Sequence, residues 1–242
     1  MTRVLLIGGT DSSGGAGLMR DGAVTFDFDC VPLPIVTAVT AQTDQAVQVV
    51  HMVPPEIVVA QLKTAFVGDP PDAVKIGMVG TRECARAVAS VLMNYRIPIV
   101  LDPVLHASSG AALYAGGDFS PLTKIATLLT PNLNEAAALL NRRPATDDDD
   151  IADQARALRA RGVNAVLMKG GHSQDHECTD HMFDAGGHHL FTGKRQPMTR
   201  RGTGCTLATA IACRLGAHRQ LVDACRDAFD YTKMWISAGQ LP

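Results

Sequence analysis

The chain has 242 residues, a formal net charge of −2 and 46% hydrophobic residues. This length suits one large α/β domain or two small ones, and because no linker divides the chain we expect a single domain over residues 1–242. The near-neutral charge and the aromatic content of 5% argue against a nucleic-acid partner or an anionic membrane surface. No segment approaches the roughly 18 apolar residues of a membrane span.

Six cysteines are irregularly spaced, and none belongs to a CxxC pair. A chain of this size does not need disulfide bonds for stability, so this pattern favours free thiols in a reducing compartment. The N-terminus runs directly into an apolar strand-like segment without the pattern of a secretory signal. We therefore expect a cytoplasmic protein.

Short apolar runs alternate with longer helical patterns along the chain. The predicted strands span residues 4–7, 73–76, 99–101, 127–129 and 165–168, and the predicted helices span residues 14–28, 54–67, 82–94, 134–140, 150–161 and 205–217. A β excursion is predicted over residues 30–50, and a hairpin over residues 180–192. This alternation predicts an α/β fold with an open, mostly parallel sheet between helices. Ligands of such sheets bind beyond the carboxyl ends of the strands.

The most informative segment is Arg200-Arg201-Gly202-Thr203-Gly204-Cys205-Thr206, followed by an Ala-rich apolar run. Glycines permit a tight turn and a close approach to a ligand, and the first amides of the following helix have no intrahelical partner. These amides and the helix dipole favour an anion such as a transferred phosphoryl group. A thiol at this position is expected to have a lowered pKa, and Cys205 would lie beside the attacking group.

A second glycine-rich loop spans residues 8–17, after the first strand and before the first helix, and Asp21 follows it. The loop lacks the lysine of a P-loop and the spacing of a dinucleotide-binding turn. Asp21 is either a carboxylate that accepts hydrogen bonds from a hydroxyl or an amine, or a solvated helix residue. Gln42 has a donor and an acceptor suited to the edge of a heteroaromatic ring, although a surface glutamine is the simpler interpretation of this residue taken alone. Met78 is either a flexible contact to a flat ring or part of the core.

Polar groups follow several of the predicted strands: Asp102, Asn132, Glu135 and Lys169. Phosphoryl transfer uses carboxylates to hold Mg²⁺, and cations to balance charge on the phosphates. Capping or a surface ion pair would explain each residue alone. Their shared placement at strand ends favours a common phosphoryl-transfer site.

Together these motifs resemble the hydroxymethylpyrimidine/phosphomethylpyrimidine kinases of thiamine biosynthesis, within the ribokinase-like superfamily. The resemblance covers most of the chain, and it rests on GGTDSSGGAG (8–17), TAVTAQ (37–42), AVKIGMVG (73–80), IVLDPVLHASSG (99–110), LLTPNLNEAAALL (128–140), AVLMKGGH (165–172) and RGTGCTLATAIA (201–212). It implies a three-layer αβα sandwich with a central sheet of about eight strands. It also implies ATP-dependent phosphorylation of 4-amino-5-hydroxymethyl-2-methylpyrimidine, and then of the monophosphate to the pyrophosphate.

The resemblance also assigns roles to residues. It implies that Asp21 and Gln42 bind the aminopyrimidine beside Val39 and Met78, and Gly9 belongs to the same substrate site. Cys205 takes the place of the catalytic aspartate of most ribokinase-like enzymes, and Gly202, Thr203 and Gly204 form the anion hole. Asp102 and Glu135 belong to the Mg²⁺ environment, while Asn132 and Lys169 lie near the ATP phosphates. A homodimer formed through residues 30–50 is expected.

The pair Arg200-Arg201 departs from the family pattern, which usually has a histidine before the GTGC string. This departure bears on the second phosphorylation and on nucleotide contacts, and an arginine pair is suited to neutralising phosphate charge. Two alternatives remain open. One is a pyridoxal kinase, whose substrate is also a flat ring with a hydroxymethyl group. The other is a catalytically silent protein that binds the pyrimidine.

Overall fold

The computed structural model describes residues 1–105, 114, 119–170, 177–196 and 200–239. The strands are β1 (Arg3–Gly9), β2 (Val31–Gln42), β3 (Val47–Met52), β4 (Ala73–Ile76), β5 (Ile99–Leu101), β6 (Leu128–Leu129), β7 (Ala165–Met168), β8 (Glu177–Asp184) and β9 (Gly187–Lys194). The helices are α1 (Gly17–Asp27), α2 (Pro55–Ala65), α3 (Arg82–Leu92), α4 (Ser120–Thr123), α5 (Leu133–Leu140), α6 (Asp148–Ala160), α7 (Thr203–Gly216) and α8 (Leu221–Ser237). Two parts of the family-like strings, residues 106–110 and 171–172, lie outside the described residues.

The strands form one sheet in the order β3-β2-β1-β4-β5-β6-β7-β8-β9. The central pairs from β2 to β7 are parallel. The edge strands β3, β8 and β9 are antiparallel to their neighbours. The described residues form nine strands where about eight were expected, and the predicted mostly parallel sheet is confirmed.

Helices cover both faces of this sheet, because successive side chains of each central strand point to opposite sides. In β1, Leu5 and Ile7 pack against a cluster that includes residues of α2, α3, α5 and α6. Val4 and Leu6 pack against a second cluster that includes residues of α1, α7 and α8. The predicted three-layer αβα architecture is therefore confirmed. No described helix has the length and apolarity to cross a bilayer.

Candidate active site

A cavity of about 790 Å³ lies beyond the carboxyl ends of the central strands. It brings together all but one of the residues predicted from the sequence: Gly9, Asp21, Gln42, Met78, Asp102, Asn132, Glu135, Lys169, Gly202, Thr203, Gly204 and Cys205. The exception is Val39. The rule that ligands of parallel sheets bind at this edge therefore predicted the location of the cavity correctly.

The glycine loop between β1 and α1 is shaped by the buried carboxylate of Asp11. One carboxylate oxygen accepts hydrogen bonds from the Ser13 backbone N–H at 2.9 Å and the Ser13 hydroxyl at 2.7 Å. The other oxygen accepts a bond from the Ala16 N–H at 2.8 Å. Gly17 has a φ of 57°, and a Cβ there would collide with the Gly9 carbonyl. The loop thus folds back on β1 in a conformation that favours glycine.

The start of α7 has a backbone geometry that suits the predicted anion hole. Gly202 precedes the helix with a φ of 78°, and the Thr206 N–H donates to the Gly202 carbonyl at 2.8 Å. The amides of Thr203, Gly204 and Cys205 have no backbone acceptor among the described residues. Because these three N–H groups lie at the positive end of a helix that lines the cavity, they are suited to an anionic group.

Cys205 differs from the sequence-based expectation in its acidity. Burial and the nearby carboxylates of Asp21 and Asp102 raise the pKa of the thiol to about 11. The ammonium of Lys75 and a hydrogen bond from the Gly17 backbone oppose this shift without reversing it. The expected lowered pKa is therefore wrong, because desolvation of the thiolate and the two carboxylates outweigh the stabilisation by Lys75 and by the Gly17 backbone.

Asp21 lies under the cavity floor and is held by protein partners. Its carboxylate forms an ion pair with Lys75 at 2.8 Å, and both side chains are almost completely buried. The second carboxylate oxygen accepts a hydrogen bond from the Thr209 hydroxyl at 2.9 Å. Burial lowers the pKa of Lys75, but the negative charges of Asp21, Cys205 and Asp102 outweigh this and raise it. The solvated-helix alternative for Asp21 is therefore wrong.

Sequence reasoning did not assign a role to Lys75. The available signal was a lysine within an apolar run that becomes the fully buried strand β4. A charged side chain in such a strand requires a buried partner of opposite charge. Lys75 also lies close to Gly77, where a Cβ would be 2.8 Å from the ammonium nitrogen.

A second cluster of charges surrounds Lys169, which follows β7. Its ammonium lies 3.0 Å from an Asp102 carboxylate oxygen and 3.5 Å from Glu135. Burial lowers the pKa of Lys169, but Asp102 and Glu135 outweigh that effect and raise it. Asn132 caps α5 by accepting the Glu135 N–H at 2.8 Å, while Glu135 accepts the Asn132 N–H at 2.7 Å. This capping box fixes the carboxylate beside the ammonium.

The same cluster fits a hydrated Mg²⁺ ion. A Cβ on Gly204 would lie 3.3 Å from Asp102 Oδ2, so this oxygen faces the anion hole. Among the described residues, no group of three histidine, cysteine or acidic side chains is arranged to hold a metal. Mg²⁺ commonly takes only one or two carboxylates and fills its shell with water and phosphate oxygens. Asp102 and Glu135 supply that number of carboxylates.

Gln42 and Met78 line the side of the cavity next to the glycine loop. The Gln42 backbone N–H donates to the Ser12 hydroxyl at 2.8 Å, and that hydroxyl donates to the Gln42 carbonyl at 2.9 Å. The Gln42 side-chain amide has no hydrogen-bond partner among the described residues. The Met78 sulfur lies against Gly9, where a Cβ would be 2.9 Å away.

Val39 is not placed in the cavity, and this prediction therefore needs correction. It lies on β2 between the buried residues Ala38 and Thr40, but 51% of its side chain is exposed. Because successive residues of a strand point to opposite faces, Val39 lies on the face opposite Thr40 and Gln42. The sequence string alone did not reveal which face of β2 lines the cavity.

Two further residues line the cavity: Asp180, to which the sequence gave no role, and Arg200, one of the arginine pair that the sequence presented as suited to neutralising phosphate charge. Asp180 on β8 is buried, and its carboxylate accepts the Gly170 N–H at 2.9 Å. Burial raises the pKa of Asp180 to about 6. Arg200 stacks on the Trp235 ring at 4.0 Å and donates to the Trp235 carbonyl at 2.8 Å. Asp180 therefore connects the cavity to β8, and Arg200 connects it to α8.

Comparison with known proteins gives a consistent class. A family model described as phosphomethylpyrimidine kinase matches residues 11–241. The chain is 38% identical over 240 residues to the hydroxymethylpyrimidine/phosphomethylpyrimidine kinase of Escherichia coli (strain K12), covering 97% of this chain and 89% of that protein.

Solved structures give the same class. A phosphomethylpyrimidine kinase from Clostridium difficile 630 has a TM-score of 0.84 and 29% identity, covering 98% of this chain and 100% of that one. A pyridoxal kinase from Staphylococcus aureus in complex with AMP-PCP has a TM-score of 0.89 and 27% identity, covering 100% of this chain and 90% of that one. Fold and site thus define a kinase. The chain belongs to the phosphomethylpyrimidine kinase family.

Proposed function

We propose that this kinase uses ATP to phosphorylate 4-amino-5-hydroxymethyl-2-methylpyrimidine, and then phosphorylates the monophosphate to the pyrophosphate, in thiamine biosynthesis. The observation that carries the proposal is the three free amides of residues 203–205, which share one cavity with the Asp102–Lys169 charge cluster and the glycine loop. Relatives named for both pyrimidine substrates support the choice of substrate, and the AMP-PCP complex of a structural neighbour supports ATP.

The aminopyrimidine ring is assigned to the side of the cavity formed by Gly9, Gln42 and Met78. Gln42 has an unpartnered amide whose donor and acceptor match a ring edge that carries an amino group and a ring nitrogen. Asp21 acts beneath the ring through its ion pair with Lys75. This placement directs the hydroxymethyl group towards the start of α7.

In the reaction, the substrate hydroxyl oxygen forms a bond to the γ-phosphorus as the bond from that phosphorus to the ADP oxygen breaks. The hydroxyl proton passes to Cys205, and the amides of residues 203–205 stabilise charge on the transferred group. Lys169 and Asn132 hold the ATP phosphates. Asp102 and Glu135 would hold Mg²⁺, which would neutralise phosphate charge. Phosphoryl transfer depends mainly on this positioning and charge compensation.

We also assign the protein to the cytoplasm and propose that it forms a homodimer. Val39, Ala41, Val49 and His51 are exposed and, from the β2–β3 register, share one face of this pair of strands. The two valines are 51% and 57% exposed. An exposed, largely apolar face of this kind is suited to packing against a second copy of the chain.

The role of Cys205 is tested by steady-state kinetics of Cys205→Ser and Cys205→Ala, with Cys84→Ala as a control thiol buried in α3. Because the pKa of Cys205 is about 11, only the thiolate minority can accept a proton at pH 7. We expect kcat/KM of the wild type to rise about tenfold per pH unit between pH 6 and 9, and the alanine variant to lose at least 100-fold. Near-normal turnover by a folded Cys205→Ala would remove the base role.

The choice of substrate is tested by comparing kcat/KM for the pyrimidine alcohol and for pyridoxal. The structural similarity to a pyridoxal kinase makes this comparison necessary. We expect the pyrimidine to be favoured, and Gln42→Ala to reduce the discrimination by about tenfold, because one or two hydrogen bonds to the ring edge are lost. A higher kcat/KM for pyridoxal would assign the protein to the alternative activity.

A further inference from the structure

Arg201 connects three segments at the mouth of the cavity. Its guanidinium donates to Asp11 at 3.1 Å, and through NH1 to the Ser13 hydroxyl at 2.8 Å. NH1 also donates to the Thr43 carbonyl at 3.2 Å and to the Asp44 carboxylate at 2.7 Å. The side chain lines the cavity and directly precedes Gly202 of the anion hole. It therefore connects the segment that precedes Gly202 to the two segments that follow Gly9 and Gln42.

The two carboxylate partners of Arg201 differ strongly in their exposure to solvent. The Asp11 side chain is 1% exposed and fixed by the glycine loop, whereas the Asp44 side chain is 73% exposed in the turn between β2 and β3. An ion pair to so exposed a carboxylate contributes little and is screened by solvent. NH1 also has two protons for three acceptors, so not all of these bonds are made at once. Asp44 is the partner that is most easily replaced.

The second phosphorylation places a phosphate where the first substrate has a hydroxyl, between the ring and the anion hole. A phosphate carries more charge than a carboxylate and accepts two parallel bonds from one guanidinium. We infer that Arg201 binds the phosphate of the phosphomethylpyrimidine, exchanging Asp44 for it while Asp11 keeps the guanidinium in place. This inference rests on the proposed function, and it makes Arg201 a specificity residue for the second step.

The binding test measures dissociation constants for the pyrimidine alcohol and its monophosphate by calorimetry, without ATP. Asp44→Asn removes the competing carboxylate, and we expect it to increase the preference for the monophosphate three- to fivefold. Arg201→Gln is expected to decrease that preference at least tenfold, and Arg201→Lys to recover part of it. Asp69→Asn is the control for net charge, because Asp69 is 97% exposed and pairs with Arg3 at the amino end of β1, away from the cavity. We expect no change in preference for that variant.

A purely structural role for Arg201 gives a different result. If the residue only fastens the loop, Asp44→Asn weakens binding of both ligands or leaves their ratio unchanged, and either result would overturn the inference. Rates of ADP formation are measured separately with each substrate. This inference alone is refuted if the wild-type protein phosphorylates the alcohol while the Arg201 and Asp44 variants leave the ratio of the two dissociation constants unchanged. Absence of turnover with either substrate would instead refute the proposed function.

Discussion

Lys75 and Asp21 form a buried ion pair close to Cys205. With the side chains 1% and 0% exposed, neither charge can be solvated by water. The pair contributes a fixed field next to Cys205, but its own formation requires both ions to be desolvated. Each charge is therefore stable in this place only while the other is present.

This arrangement predicts strong coupling between the two residues. Lys75→Met and Asp21→Asn should each lower the free energy of unfolding by about 3–5 kcal/mol, because each leaves one uncompensated buried charge. The double variant should recover much of that loss while remaining poorly active. Urea denaturation of the four proteins measures the coupling energy. Additive losses in the double variant would contradict the ion-pair account.

Asp180 predicts a pH dependence of stability with a definite sign. Burial raises the pKa of its carboxyl to about 6 in the folded protein, against about 3.9 in an unfolded chain. Because the folded protein binds this proton more tightly than the unfolded chain, the raised pKa adds to the free energy of unfolding below about pH 4. This contribution is lost as the pH rises towards 6. Asp180→Asn, which keeps an acceptor for the Gly170 N–H, should gain up to about 3 kcal/mol relative to the wild type over that interval.

The check is the difference in unfolding free energy between the two proteins, measured by urea denaturation at pH 4, 5, 6 and 7. A difference that stays constant across this series, or that moves in favour of the wild type as pH rises, would show that Asp180 is not desolvated as the structure indicates.

At the scale of secondary structure, the parallel core was predictable because its strands are short apolar runs ending at glycine, proline, aspartate or asparagine. The predicted strands at residues 73–76, 99–101 and 165–168 coincide with β4, β5 and β7. The hairpin at residues 180–192 was also predicted, although β8 begins earlier, at Glu177.

The helix α8 was not predicted, although it lines the cavity through residues such as Phe229 and Lys233. Only five of its 17 residues are buried, and one of these is a threonine. The apolar face of this helix is therefore narrow and gives a weak sequence pattern. Besides packing into the second core cluster, the helix is held by contacts that a local pattern cannot show. Trp235 lies between the guanidinium groups of Arg20 and Arg200, at 4.1 Å and 4.0 Å from its ring.

The anion hole depends on a close contact between two glycine-rich segments. Gly202 has a φ of 78°, and a Cβ there would collide with the Gly15 carbonyl. Gly14 has a similar φ of 77° but open space around it, so it is a matched control. Gly14→Ala should cost only about 1–2 kcal/mol of stability from backbone strain. Gly202→Ala should cost more and reduce kcat/KM at least 100-fold, because the loop must move away from the hole.

Urea denaturation and steady-state kinetics of these two variants separate strain from collision. Equal effects of the two substitutions on kcat/KM would contradict the contact between the glycine loop and the start of α7.

At the scale of the whole molecule, the exposed face of β2 and β3 determines the proposed assembly. Val49→Asp places a charge in the middle of that face and should convert a dimer to a monomer, because a buried unpaired charge is costly. Val67→Asp is the control, since Val67 is an exposed valine outside β2 and β3. Light scattering of the three proteins measures the mass. A wild-type monomer at working concentration would contradict the proposed dimer.

The sheet also determines which site residues the sequence could reveal. Asp102, Glu135, Lys169 and Cys205 come from segments far apart in the chain, and they meet because β5, β6 and β7 are parallel neighbours and α7 begins at the same edge. Strand order, the acidity of Cys205 and the face on which Val39 lies depend on tertiary packing. These three properties therefore cannot be predicted from a local pattern of residue types.

The most direct test of the account is analysis of the products by mass spectrometry, after incubation of the purified protein with Mg-ATP and hydroxymethylpyrimidine, and with pyridoxal in a parallel reaction. We expect the pyrimidine monophosphate first and then the pyrophosphate, with one ADP formed for each phosphate added. The monophosphate alone would limit the activity to the first step. A folded protein that forms no phosphorylated pyrimidine would contradict the central claim.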